Sequence, residues 1–491
     1  MGQDVEAREF TGEDRARYRA KVRRNLDVLA AMLGQQDFSV PDPHVGVEIE
    51  FNLIDEAGDP ALRNLETLDA IATEDFQTEL GRFNVEINVP PSPVAGRGLA
   101  DMAERMRDDL NAAQSKAQSV DTGLLMIGIL PTLDARHLTR ETISENPRYH
   151  LLSDQILTAR GEDIHIVING VERLRTTIDT IIAEAACTST QLHLQVEPDD
   201  FAPTWNAAQA IAGVQTAVGA NSPFLLGKRL WHETRIALFE QATDTRTDEL
   251  KAQGVRPRVW FGDRWITSVF DLFEENSRYF PALLPIVEDE DPVAEIEAGR
   301  IPMLPELRLH NGTIWRWNRP IYDVVDGKPH LRVENRLLPA GPTVPDTVAN
   351  AALFYGLVTA LTEQERPVWS QLPFKAAEEG FHAAAKAGIE AEVFWPGVGT
   401  GPVRELVLQH LLPLAHVGLE RRGVDSAVID QYLQIIERRC ATGRNGATWL
   451  ISQFDRTHEK GRDVLDTMRA VTRRYAEHMH EGEPVHTWSV G

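Results

Sequence analysis

Cysteine is almost missing from this chain: Cys187 and Cys440 are the two in 491 residues. Two thiols cannot staple a chain of this length, so no disulfide framework is expected and a reducing, cytoplasmic setting fits. Positive charge is also scarce. Lys and Arg number 50 against 74 Asp and Glu, giving a formal net charge of −24. That surplus repels phosphate backbones and anionic headgroups, which argues against nucleic acid and membrane as partners and leaves small molecules. No apolar run reaches the roughly 18 residues needed to span a bilayer. The opening MGQDVEAREF lacks the apolar segment of a secretory leader, and Glu6 stands where a myristoylation signal needs Ser or Thr. No GxxxxGK[ST] occurs, and Gly227-Lys228-Arg229 lacks both the earlier glycine and the hydroxyl, which excludes a P-loop.

What is present is an ordinary globular composition, 42% hydrophobic and 25% charged, enough for a substantial core. Thr11 to Leu33 carries Tyr18, Val22, Leu26, Leu29 and Leu33 at helical spacing, with Thr11 as cap and Gly34 as stop. Residues 44–345 mix alternating strands with helices such as 97–119. Residues 346–491 are mostly helical, with FWPGVGTGP (394–402) as a loop between two helices and His478-Met479-His480 in a solvated tail. The expectation is an α+β protein: an N-terminal helical arm (1–43), a catalytic domain (44–345) and a helical C-terminal part packed on it (346–491).

The informative feature is a set of acidic strands. In VGVEIEFNLID (45–55), Val45, Val47, Ile49, Phe51 and Leu53 alternate with Gly46, Glu48, Glu50 and Asn52. Period two gives one apolar and one polar face. Two ionised carboxylates roughly 6 Å apart at an effective dielectric near 20 repel by about 3 kcal/mol, a cost that a strand carries only for a reason. RFNVEINV (82–89), TQLHLQV (190–196) and HLRVENRLL (330–338) repeat the pattern, and Glu79 stands just before the first of them. On one sheet, Glu48, Glu50, Glu79, Glu86 and Glu334 would form a single acidic wall with His193 beside it. Hard divalent cations such as Mg²⁺ or Mn²⁺ are what such carboxylates hold.

In chain order, GVEIEF (46–51), TELG (78–81) followed by VEIN (85–88), CTSTQLHL (187–194), ANSPF (220–224) with Gly227 and Thr234-Arg235, and RVENR (332–336) resemble the glutamate–cysteine ligase and carboxylate–amine ligase family, relatives of glutamine synthetase. The resemblance implies a curved antiparallel sheet of the glutamine synthetase type, helices on its outer face, and a funnel lined by the polar face. It implies ATP- and Mg²⁺-dependent (or Mn²⁺-dependent) joining of the γ-carboxylate of glutamate to the amino group of cysteine or another amine through an acyl phosphate. By matched position, Glu48, Glu50, Glu79, Glu86, His193 and Glu334 would be metal ligands. Arg235 and Arg336 would be catalytic and hold substrate carboxylates and the transferring phosphoryl group, with Gln191 and Asn221 also binding substrate.

One segment departs from the pattern. LRLHNGTIWRWNRPIYDVVDGKPHLRVENR (307–336) inserts a hairpin before the last strand, turned at Asp326-Gly327. That register sets Arg319 opposite Glu334 and Trp317 opposite Arg336, so both would reach the funnel and bind substrate. The insertion also puts cysteine as acceptor in doubt. Other readings stand beside this one: a different acid or acceptor, a guanidino-kinase-like phosphotransferase, or a non-catalytic metal- or nucleotide-binding relative. No pattern encodes an oligomeric state.

Overall fold

The computed structural model describes residues 10–39, 43–458 and 462–490; nine residues of the opening decapeptide lie outside them. The alternating segments join one curved antiparallel sheet of seven strands: β1 (His44–Ile54), β2 (Phe76–Thr78), β3 (Asn84–Pro93), β4 (Gly123–Leu125), β5 (Ser189–Gln195), β6 (Asn318–Val325) and β7 (Lys328–Pro339). Their order is β6-β7-β5-β1-β3-β2, with β4 on the far end of β1. Sequence alternation decides the register, because a slip of one residue would turn every Val and Ile to the wrong face.

Val45, Val47, Ile49 and Phe51 of β1, with Val85 and Ile87 of β3, are buried. Ile49, Phe51 and Ile87 face Met106 and Leu110 of the helix Gly98–Ala117 and Val344 of the helix Val344–Thr362. Each such side chain contributes about 1.5–3 kcal/mol of burial, which outweighs the carboxylate repulsion on the opposite face. The helix Val344–Thr362 is long and apolar enough to cross a membrane, yet 94% of it is buried inside the fold. Asp346 in its first turn pairs with Arg439 at 2.8 Å, both fully buried, and ties the C-terminal helices to it.

The N-terminal helix runs Gly12–Gln35, passing through Gly34, with Thr11 and Asp14 closing a capping box. Tyr18 Oη donates to the Glu306 carbonyl and Asn25 Nδ2 to Glu306 Oε2, fixing this helix to the segment before the hairpin. Two expectations are corrected. Residues 394–402 are not a loop: Glu392–Trp395 and Gly399–Pro402 form a hairpin, with Gly397 and Gly399 at positive φ making its turn. His478 and His480 lie in the helix Val464–Glu481, where the His478 ring stacks on Trp488 at 5.1 Å.

Candidate active site

The polar face of the sheet carries the site. Across the ladder, Gln77, Glu86 and Glu50 form one row, and Asn88, Glu48 and Gln191 the next. His193, Glu334 and Arg319 form a third row. Two adjoining cavities of about 450 and 270 Å³ open onto these rows and share Glu48, Arg148, Gly312 and Arg319 in their walls.

The carboxylates fall into two groups. Glu50, Glu79 and Glu86 each present an oxygen within 4.8 Å of the others. Glu50 accepts from the Ser189 amide (2.7 Å) and Gln191 Nε2 (3.0 Å). Glu86 Oε1 accepts from Gln77 Nε2 (2.7 Å) and Asn88 Nδ2 (3.1 Å). Burial, reinforced by Glu48 and Glu50, pushes the Glu86 carboxyl up to about 8. Burial and then Glu86 and Glu50 push Glu79 well above the usual range, and burial raises Glu50 despite Arg336. Three clustered hard oxygens that oppose one another's ionisation fit a divalent cation.

Glu48, His193 and Glu334 form the second group, also within 4.8 Å. Burial works against Glu48, but the His193 ring beside it more than offsets that and brings the carboxyl to about 2. Burial likewise opposes Glu334, and Arg319 and Arg336 overcome it, holding that group well below the usual range. His193 meets two opposed demands. Arg332 Nε donates to its Nδ1 (3.1 Å), which leaves the proton on Nε2, 3.1 Å from Glu48. That Nε2 is buried and out of line for a good hydrogen bond. A cation at Nε2 requires the other tautomer, with Arg332 released toward Asp323, 3.5 Å from it. The second group thus fits a cation through Glu48 and Glu334, and through His193 once Arg332 moves.

Among the expected substrate-binding groups, Gln191, Arg319 and Arg336 line the cleft. Arg319 spends its fork on Glu334 (2.5 and 2.9 Å). Arg336 contacts Glu334 at 3.3 Å and donates to Gln191, while its Nε is buried with no partner, a spare donor for an anion.

Three expected residues are elsewhere. Arg235 sits behind β7, buried with Glu233 (3.2 Å), and donates to the carbonyls of Arg336 and Leu337. Its Nη2 holds the strand that carries Arg336. Asn221 is fully buried, bonded to the Ala340 carbonyl (2.8 Å) and Tyr475 Oη (2.7 Å), and clamps a loop rather than a ligand. Trp317 is 1% exposed and lies between Phe239 (5.6 Å) and Phe381 (5.5 Å). The hairpin has the expected register, Arg319 opposite Glu334, but its ladder ends at Asn318 and Asn335. A bulge in β7 follows, and Trp315-Arg316 pairs instead with Val259-Trp260, which carries Trp317 into the core. Trp315 is the tryptophan that lines the cavity.

Arg148, Tyr149, Glu184 and Trp315 in the walls escaped the sequence reading. The helix start around Arg148 was readable, Asn146 capping and Pro147 at its first position. Nothing in that signal says that the Arg148 guanidinium faces both cavities without a hydrogen bond or ion pair among the described residues. Glu184 comes from the short helical turn Ile182–Ala186. A Cβ on Gly81 would fall 2.5 Å from Asn84 Oδ1 and 3.0 Å from Ala185 Cβ, so glycine there lets the Glu79 turn lie against the turn bearing Glu184. Burial, then Glu50, raises the Glu184 carboxyl to about 7.

Among solved structures, the chain is similar to glutamate–cysteine ligase from Francisella tularensis in complex with AMP, at 11% identity and a TM-score of 0.53, covering 93% of this chain and 91% of that one. It is also similar to a bifunctional glutathione synthetase from Pasteurella multocida (10% identity, TM-score 0.47, covering 94% of this chain and 55% of that one). A third similarity is to the ligase PafA in complex with the prokaryotic ubiquitin-like protein Pup (10%, 0.39, 88% and 71%). At these identities the likeness is one of fold, and the two lower scores add nothing to it. No curated protein matches the sequence significantly. The family model for glutamate–cysteine ligase family 2 matches residues 44–467, a span that holds every strand of the sheet and both carboxylate groups. The protein therefore belongs to glutamate–cysteine ligase family 2 and is an ATP-dependent ligase of the carboxylate–amine type.

Proposed function

We propose that the protein joins the γ-carboxylate of glutamate, or of a similar acid, to an amine through an acyl phosphate, using ATP with Mg²⁺ or Mn²⁺. The observation that carries this reading is the pair of carboxylate groups flanking Arg336 on one concave face. Divalent ions held by Glu50, Glu79 and Glu86, and by Glu48, Glu334 and His193, would neutralise phosphate and carboxylate oxygens as charge shifts between them.

The chain's own groups supply the rest. Arg336, with its free Nε, meets the transferring phosphoryl group, and Gln191 holds the Arg336 fork in place. Arg148, facing both cavities, meets a substrate carboxylate. In the first step a carboxylate oxygen of the acid attacks the γ-phosphorus and the bond to ADP breaks. In the second, the amine nitrogen bonds to the acyl carbon and the bond to phosphate breaks. Phosphate leaves with the electron pair and takes up the proton that nitrogen loses. Charge on these oxygens is balanced best in a cleft closed to bulk water, where Arg and metal act at short range.

The test is ADP release measured with acid alone, amine alone and both, with hydroxylamine trapping the activated acid as hydroxamate. ADP that depends on both substrates, with hydroxamate in the trap, supports the ligase. ADP and a stable phosphorylated product from one substrate alone would move the protein to the phosphotransferases.

A further inference from the structure

We propose that the acceptor is an amine bearing a bulky apolar substituent, its ammonium held by Glu184 and its substituent laid against Trp315, Tyr149, Leu152 and Ile181. The inference rests on the ligase reading above and names the acceptor class for that site.

The larger cavity has two unlike walls. One is the acidic sheet face. The other is assembled from separate segments: Leu80 after β2, Tyr149 and Leu152 of the helix Pro147–Arg160, Ile181 and Glu184 around the next short turn, and Trp315 before β6. Its apolar members are held in place. Tyr149 Oη donates to the Thr78 carbonyl at 3.1 Å, and the Trp315 ring meets Phe239 edge-on at 6.3 Å. Tyr149 and Leu152 remain half-buried, apolar surface turned toward a cavity whose opposite wall is charged. A glutamate-like acid has no apolar surface to cover it; the adenine of ATP has one but brings no cation to the carboxylate beside this wall, whereas an amine with an apolar body brings both. A thiol the size of cysteine would leave that wall wet.

Glu184 supplies the polar end of the same subsite. Its carboxyl lines the cavity, belongs to neither three-carboxylate-or-histidine group, and makes no hydrogen bond or ion pair among the described residues. Arg336, which helps neutralise it at a distance, is committed to Glu334 and Gln191. A carboxylate so placed takes a cation, and an amine at neutral pH arrives as one. The charged head and apolar body of such an acceptor match Glu184 and the wall beside it.

The experiment uses the full chain with ATP, Mg²⁺ and the acid that gives hydroxamate. Methylamine, cysteine, isoamylamine and phenethylamine are compared as acceptors by ADP release and product mass. In a pocket of this kind one methylene changes kcat/KM by about 10- to 200-fold. The expected result is kcat/KM at least tenfold higher for isoamylamine or phenethylamine than for methylamine and cysteine. In Leu152→Ser, at a half-buried position, and in Trp315→Ala, the ratio of large to small amine should fall about tenfold, a change that a general loss of structure does not produce. In Glu184→Gln, kcat/KM for every amine should fall while the size ranking stays. Hydroxamate formation with cysteine or methylamine as the best acceptor would overturn the apolar subsite and leave the ligase reading intact. So would an unchanged ratio in both wall variants. No hydroxamate with any acid would instead overturn the ligase reading.

Discussion

Replacing Glu86 by Gln should make the metal-free protein more stable at neutral pH, even though it removes a residue from the reaction site. Glu86 is 5% exposed and its carboxyl is raised from an ordinary 4.5 to about 8 by burial, then by Glu48 and Glu50. Between those two values the unfolded chain has lost this proton and the folded chain has kept it. The folded state binds more protons there, so stability falls as pH rises through the window. At pH 7 the unfolded carboxyl is well past its midpoint while the folded one still holds its proton, which corresponds to about 3 kcal/mol lost at this one group. Gln keeps the carbonyl that accepts from Gln77 and Asn88 and turns an uncharged amide toward Glu50 and Glu79.

Glu48 and Glu334 run the other way. Their carboxyls are depressed, so what they contribute is present above the ordinary carboxylate range and is lost as pH falls. The metal-free protein should therefore be most stable around pH 5. The assay is urea unfolding in EDTA at pH 5, 7 and 8, repeated with Mg²⁺ in excess. Mg²⁺ at about 100 times its Kd should restore about 2.7 kcal/mol to the wild type and far less to Glu86→Gln. If Glu86→Gln is the less stable protein at pH 7 in EDTA, or gains as much from Mg²⁺ as the wild type, the carboxylates do not oppose one another as argued and the group is not a metal site.

Glu48→Gln and Glu50→Gln should each abolish turnover while leaving the fold intact by circular dichroism; full activity in both would remove the metal assignment. Arg336→Lys keeps the charge but loses the fork, so kcat/KM should fall about tenfold to a thousandfold, or roughly 1.4–4 kcal/mol. Arg235→Met leaves Glu233 buried and unpaired, which should cost about 3–5 kcal/mol of stability by denaturant titration; unchanged stability with a selective rise in KM for the acid would return Arg235 to the cleft. Trp317→Ala should cost about 3–5 kcal/mol as a core truncation and leave the ranking of amines alone.

The sheet was legible because its physics is local. Val45, Val47, Ile49 and Phe51 repeat every second residue, and the same parity that buries them turns Glu48 and Glu50 to the other face. Once four strands shared that parity, the convergence of Glu50 with Glu86, and of Glu334 with His193, followed from pairing alone. The turn at Asp326-Gly327 was legible for a similar reason: both residues take positive φ, which few residue pairs tolerate, and the turn then fixes Arg319 against Glu334.

The errors begin where parity stops. A bulge between Asn335 and Leu338 adds one residue to one strand only, and no pattern in ENRLL announces it. Extending the ladder one residue past Asn318 and Asn335 put Trp317 in the cleft and overlooked Trp315. Arg235 failed for a different reason. An arginine after a signature loop reads as an anion holder, but its partner Glu233 is two residues away and fully buried. The pair makes Arg235 a strut that grips the Arg336 and Leu337 carbonyls from behind. Arg336 lines the cleft, and Arg235 holds from behind the bulged strand that carries it. Arg148 and Glu184 lay beyond reach because neither belongs to a repeating polar face: Arg148 sits in the first turn of the helix Pro147–Arg160 and Glu184 on the short turn Ile182–Ala186, each brought to the cavity by long-range packing. A sheet face can be read from its period; a wall assembled from single residues on separate turns has none to read.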